Sequence, residues 1–154
     1  MRMWHKDLIS VLPRQQLLAQ WRELCAIAGR LEKQGTPNHL LVNKVTAYPP
    51  IHFYMYTNLV MHEMKSRGYE ISKEAYTTLT TRIRNCVDLS NVFDCFTYQY
   101  VPVKTEDIYR EWHNDRYLRQ CYCNLEEKYD CGGIAYEDWK KIEEKFGYYV
   151  RLYG

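Results

Sequence analysis

The chain lacks nearly every short motif that announces a chemistry. It has no G-x-G-x-x-G, no G-x-x-x-x-G-K-[ST], no G-x-S-x-G and no H-E-x-x-H. Dinucleotide, nucleotide-triphosphate, elbow-hydrolase and zincin readings therefore have no starting point. No apolar run approaches membrane length, so no membrane association is expected. The opening Met1-Arg-Met-Trp-His-Lys-Asp7 has no apolar signal core, which predicts a cytoplasmic protein. Charge of either sign is scarcely in excess: the net is +2, too little to mark a nucleic-acid binder on that ground alone. There are six cysteines but no C-x₂-C pair. Without a secretion signal they read as free thiols. His113, Cys121, Cys123 and Cys131 lie close in sequence, but Cys121 and Cys123 sit two apart on a predicted helix and face different ways. The reading is therefore no metal and no cofactor. Cys25 has no protease-like signature around it and reads as packing. Repeats, low-complexity tracts and long linkers are also missing, so residues 1–154 are expected to form one domain.

What is present is helical periodicity, and the expected class is mainly α. Pro13 starts a helix to about Lys33, ending before Gly35, with Leu17, Trp21, Leu24, Ala28 and Leu31 as its core stripe. A second stripe carries Gln16, Gln20, Glu23, Ile27 and Arg30; Gln16 and Glu23, two turns apart, project the same way. Residues 35–52 read as a loop, extended at Leu40–Val45. A helix follows at about Phe53–Arg67 with Tyr56, Leu59, Val60 and Met64 inward and Gly68 after its end. Ser72 caps a helix at Lys73–Asn85 that turns Tyr76, Leu79 and Ile83 inward. Val87–Pro102 reads as either a short strand or an aromatic loop. Thr105 is expected to cap a long helix with the stripe Leu118, Cys121, Tyr122, Leu125 and Tyr129, closed by Gly132-Gly133. A last helix at Tyr136–Phe146, ended by Gly147, leaves an aromatic-basic tail from Tyr148 to Tyr153. That tail either stacks on nucleic acid or folds back on the core.

The uneven placement of charge points to the amino terminus. Residues 1–34 hold Arg2, Lys6, Arg14, Arg22, Arg30 and Lys33 against Asp7, Glu23 and Glu32, whereas the rest of the chain is nearly balanced. A basic face there suits phosphate. It accompanies a terminal α-amine and, on the first helix, the Arg22-Glu23 pair. An amine beside a carboxylate is the minimal apparatus for Schiff-base chemistry on a sugar carbon. An α-amine titrates near 7.7–8.0 against about 10.4 for lysine, so much more of it is nucleophilic at neutral pH. Taken alone, Arg22-Glu23 would be an ordinary solvated pair.

Residues 1–29 resemble, without a gap, the pyrimidine-dimer DNA glycosylases of the phage endonuclease V family. The matching residues are Leu8, Ser10, Leu12, Gln15, Leu17, Ala19, an aromatic at Trp21, the Arg22-Glu23-Leu24 triplet and Gly29. A weaker similarity lies in Phe53–Gly68 with Tyr69, through Leu59, Glu63 and the basic-Gly-aromatic ending. Trp4-His5 and Leu12-Pro-Arg-Gln-Gln-Leu17 look like a bacterial branch of the family. The resemblance implies a compact helical fold acting, without cofactor or metal and as a monomer, on duplex DNA that carries a damaged or abasic site. It also implies attack of the terminal amine on C1′ of the damaged nucleoside, with the helix carboxylate as acid and base. Carried onto this sequence, Met1 and Glu23 are the catalytic pair, and Arg2, Arg14, Gln16, Arg22 and Arg30 contact DNA. Phage members expose a threonine amine after loss of the initiator Met, followed by an arginine. Here those positions are Arg2 and Met3, and a Met before bulky Arg2 is expected to stay, which makes Met1 the amine. Gln16 and Ala26 replace a histidine and an arginine of the family's helix. Two other readings remain open at this point. One is a glycosylase in which Glu23 activates water, without strand cleavage. The other is a non-catalytic module binding DNA or protein.

Overall fold

The computed structural model describes residues 1–86 and 104–153. The stretch Val87–Pro102, read as either a short strand or an aromatic loop, lies outside the described residues. Among these, the secondary structure is helical with no strand: α1 (Arg14–Gln34), α2 (Pro50–Ser66), α3 (Lys73–Asn85), α4 (Asp115–Asp130) and α5 (Tyr136–Tyr153), plus 3-10 segments at Lys6–Val11, Asn43–Ala47 and Thr105–Asp107. The α1 helix packs on α2 and α3, α4 packs on α5, and the segment Lys6–Val11 touches both α2 and α5.

Local chemistry accounts for most boundaries. Gly35 ends α1 in the left-handed region at φ 70°, its N–H returning to the Leu31 carbonyl at 2.9 Å, a conformation that costs glycine little. The Ser72 hydroxyl accepts from the Ala75 N–H at 3.1 Å and opens α3. The α1 core stripe is buried through Ala28, with Leu31 half-buried, and Leu118, Cys121, Tyr122 and Leu125 of α4 are buried.

Several expectations are corrected. Thr105 opens only a three-residue 3-10 turn, and the long helix begins at Asp115, where Asn114 Oδ1 accepts from the Tyr117 N–H at 3.0 Å. Between them Tyr109 holds a positive φ of 49°, which interrupts any continuous helix and is costly for a bulky residue. Leu40–Val45 is a turn running into a 3-10 segment, not extended chain. Tyr76 faces outward. Gly147 lies inside α5, which runs on to Tyr153; glycine there leaves room for the Tyr122 hydroxyl, 3.3 Å from where a Cβ would stand. The Tyr148–Tyr153 stretch is thus a helix end rather than a tail.

The residues that carried the family resemblance divide by task. Arg67 donates to Glu63 Oε1 at 2.7 Å, to the Leu12 carbonyl at 2.7 Å and to the Ser10 carbonyl at 3.1 Å, tying α2 to the end of the first 3-10 segment. A Cβ on Gly29 would stand 3.2 Å from the Arg82 guanidinium, so glycine leaves room for that side chain to lie against α1. These positions build the frame around the terminus.

The frame is sensitive to acid. His113 is buried, its Nδ1 accepting the Lys6 N–H at 3.0 Å, and its ring lies 5.2 Å from that of His5. Burial chiefly, then the neighbouring His5 and Lys6, lowers its pKa to about 2, and burial also lowers that of His5. A histidine depressed in the fold is neutral there but takes a proton when unfolded, so its contribution is complete above the unfolded value of about 6.5 and is lost as pH falls. Between pH 7 and 5, His113 alone should remove about 2 kcal/mol of stability. Urea unfolding midpoints at the two pH values measure this, and His113→Phe should flatten the difference.

Candidate nucleic-acid cleft at the amino terminus

Residues 2–4 are pinned by their own backbone. The Arg2 N–H donates to Glu23 Oε2 at 3.1 Å, and the Trp4 N–H donates to Gln20 Oε1 at 2.8 Å. Tyr117 of α4 donates to the Met3 carbonyl at 2.5 Å. Tyr56 of α2 lies 2.6 Å from the Trp4 carbonyl and 3.0 Å from Gln20 Oε1, with one hydroxyl proton to share between them. Met3 and Trp4 are buried beneath these bonds. Three helices therefore fix where Met1 lies, and α1 supplies Glu23 and Gln20 one turn apart on the same face.

The terminal nitrogen stands 3.9 Å from Glu23 Oε1, with Met1 14% and Glu23 29% exposed. The pair opens into a cleft of about 730 Å³ lined by Met1, Arg2, Gln16, Arg22 and Glu23 together with Trp4, Leu41, Asn124 and Lys128. Three cations and the terminal amine thus surround one carboxylate, a field that attracts phosphate. A second cleft of about 700 Å³ shares Arg2 and Asn124 with the first and adds Arg116 and Arg119 of α4. The basic surface therefore continues beyond the terminus onto α4.

Arg14 and Arg30 lie outside that lining. Arg14 sits 5.3 Å over the Tyr69 ring, and Arg30 donates to the Pro37 carbonyl at 3.1 Å. Sequence reading missed Asn124 and Lys128, which sit more than a hundred residues from Met1; nothing in their spacing links them to the terminus. Lys6, the other amine near the start of the chain, is buried and points away from the cleft, its Nζ donating to the Glu106 and Ile108 carbonyls at 2.5 and 2.9 Å. Burial chiefly lowers its pKa.

Gln20 holds this arrangement together. The Trp4 N–H requires an acceptor, which fixes the amide with Oε1 toward the terminus. Gln20→Leu would leave the Trp4 N–H without its acceptor in a buried place, at a cost of about 1–3 kcal/mol. The expected result is a lower melting temperature and a loosened terminus, read as faster amide exchange at Trp4. Gln20→Glu, which retains an acceptor, should keep more of the Trp4 protection than Gln20→Ala.

Among the described residues no group of three or more His, Cys, Asp or Glu is placed to hold a metal ion, and no helix is long and apolar enough to cross a membrane. No curated protein and no solved structure matches the chain. A family model does match, over residues 1–77, described as pyrimidine dimer DNA glycosylase. That is half of the chain and extends past the 1–29 and 53–69 stretches on which the resemblance was read. It takes in the pinned terminus, all of α1 and α2, and the Glu63–Arg67 brace that ties them. With that match covering half of the chain and most of the residues that line the cleft, the chain belongs to the pyrimidine dimer DNA glycosylase family.

Proposed function

We propose that the chain both excises a damaged pyrimidine from duplex DNA and cuts the strand there, with the Met1 amine as nucleophile and Glu23 as acid and base. The observation that carries this reading is the 3.9 Å separation between the terminal nitrogen and Glu23 Oε1, at the wall of an open basic cleft.

Glu23 takes a proton from the terminal ammonium, freeing the lone pair that attacks C1′ of the damaged nucleoside. The N–C1′ bond forms, the glycosidic bond breaks, and the base leaves with that electron pair and the proton from Glu23. A proton then passes from nitrogen to O4′ as the C1′–O4′ bond opens, leaving a protonated imine. Its positive charge lies beside the Glu23 carboxylate, which stabilises it. Glu23 next removes a C2′ proton, the electron pair left on C2′ expels the 3′-phosphate, and water hydrolyses the imine to release Met1. Arg2, Arg22 and Lys128 offer phosphate partners around the cleft, and Gln16 a hydrogen-bonding side chain for the extruded nucleotide. Arg14 and Arg30 remain proposed backbone contacts at the edges of the face.

The test uses two duplexes, one with a cyclobutane pyrimidine dimer and one with an abasic site. The expected outcome is glycosidic cleavage on the dimer duplex, read as base freed once the cyclobutane is photoreversed, and strand nicking with a borohydride-stable protein–DNA adduct on both. Glycosidic cleavage of the dimer duplex without nick or adduct would replace the amine route by water activated at Glu23.

A further inference from the structure

Two side-chain atoms on α1 have unmet and complementary hydrogen-bonding needs. Gln20 is fully buried. Its Oε1 accepts from the Trp4 N–H at 2.8 Å and lies 3.0 Å from the Tyr56 hydroxyl. Its Nε2, an amide donor, is sealed from solvent without a partner among the described residues. Gln16 Oε1, an amide acceptor, is sealed and without a partner in the same way. Buried amide groups are rarely left so, because each gives up its bonds to solvent and gains none in return.

The helix sets the two side by side. Positions 16 and 20 are one turn apart on the same face, with Cβ atoms about 5–6 Å apart, and a long helical side chain leans back over the preceding turn. Trp4 decides which way the Gln20 amide faces. With Oε1 held to the terminus, Nε2 takes the other side of the planar amide, above the turn that carries Gln16. Gln16 is half-buried and lines the cleft that holds Met1 and Glu23, so the gap between the amides has an entry from solvent. The donor and the acceptor do not bond each other. One water that accepts from Gln20 Nε2 and donates to Gln16 Oε1 satisfies both, and two polar partners are enough to hold it.

We propose that Gln16 and Gln20 seat one buried water, and that this water links the cleft wall to the amino terminus, making Gln16 a positioning residue for the Met1 amine. The link runs from Gln16 through the water to Gln20 and on to the Trp4 N–H. The terminus has a second support in Glu23, whose Oε2 accepts the Arg2 N–H. The seat stands on the geometry of α1, whereas its use in the reaction rests on the function proposed above. There Glu23 gains and loses a proton, and its hold on Arg2 weakens each time it is protonated. An amide–water–amide link does not titrate, so it keeps the terminus in place through those transfers.

The experiment is solution NMR of the free protein, with Gln16→Leu and Gln16→Glu beside wild type. Wild type is expected to show a cross-peak between a long-lived water and the Gln20 side-chain amide. Gln16→Leu, which removes the acceptor, should lose that cross-peak and speed amide exchange at Trp4 about tenfold, the loss of one hydrogen bond. Gln16→Glu, which keeps an acceptor oxygen at the same reach, should retain both the cross-peak and the slow exchange. A wild-type Gln20 amide with no water cross-peak overturns the seat. Unchanged Trp4 exchange in Gln16→Leu overturns the link, as does an equal acceleration at Leu125 of α4, which marks a general loss of stability. At saturating abasic duplex, borohydride trapping should also fall about tenfold in Gln16→Leu and recover in Gln16→Glu; unchanged trapping in Gln16→Leu removes the positioning role. Failure of wild type itself to trap instead overturns the amine chemistry, while the cross-peak and the exchange rates still decide the seat and the link.

Discussion

A Gly-Ser extension ahead of Met1 should abolish the borohydride-trapped adduct and strand nicking while leaving the affinity for abasic duplex within a few fold. Extension turns the Met1 nitrogen into an amide with no basic lone pair. It also carries the new amine about 7 Å along the chain, at 3.3–3.6 Å per residue. The terminus tolerates no compensating shift, because the Arg2 and Trp4 N–H groups and the Met3 and Trp4 carbonyls are all engaged by Glu23, Gln20, Tyr117 and Tyr56. Holding a nucleophile against its target substitutes for about 7–11 kcal/mol of bimolecular cost; an amine on a free dipeptide keeps little of that advantage. The phosphate-binding cations are untouched, so binding persists. Electrophoresis of trapped products alongside fluorescence-anisotropy titration separates the two quantities. Equal trapping by the extended protein would exclude Met1 as the nucleophile.

The second large effect is expected from Glu23→Gln. The change keeps the side chain's shape and leaves an oxygen able to accept the Arg2 N–H that now binds Oε2, so the fold and terminus should hold and the melting temperature should move little. What disappears is the negative charge 3.9 Å from the terminal nitrogen and with it the ability to take a proton. General acid–base catalysis contributes about 10²–10⁴-fold, so single-turnover nicking should fall within that range. Trapped adduct can accumulate more than nicked product, since imine formation depends less on proton removal from C2′ than elimination does. A variant that nicks at the wild-type rate would remove Glu23 from the reaction. Glu23→Asp, which keeps the charge but draws it back, should fall between the two.

The contrast between terminus and remainder shows what could be read from the sequence. The α1 helix was legible because its stripe, its Pro13 start and its Gly35 end all agree, and Glu23 stood out through its neighbours from Met1 onward. The start of α4 was not legible. Thr105 followed by two acids has the chemistry of a helix cap, but Tyr109 at positive φ breaks the chain before Asn114 makes the real one. Gly147 misled in the opposite direction, since a glycine inside a helix can serve packing as readily as a stop; there it faces the Tyr122 hydroxyl. Within the cleft, Asn124, Lys128 and Leu41 come from elements far apart in sequence, and only tertiary packing brings them to Met1. Arg14 and Arg30 share the same helix but take partners in Tyr69 and Pro37, a division that no charge pattern on a single helix reveals.

The most direct test of the central claim is mass spectrometry of the peptide that carries the sugar remnant after borohydride trapping and nuclease digestion. The account predicts the modification on the amino-terminal peptide, at the Met1 nitrogen. The modification on a lysine instead, such as Lys6, whose Nζ is turned to the Glu106 and Ile108 carbonyls, would contradict it.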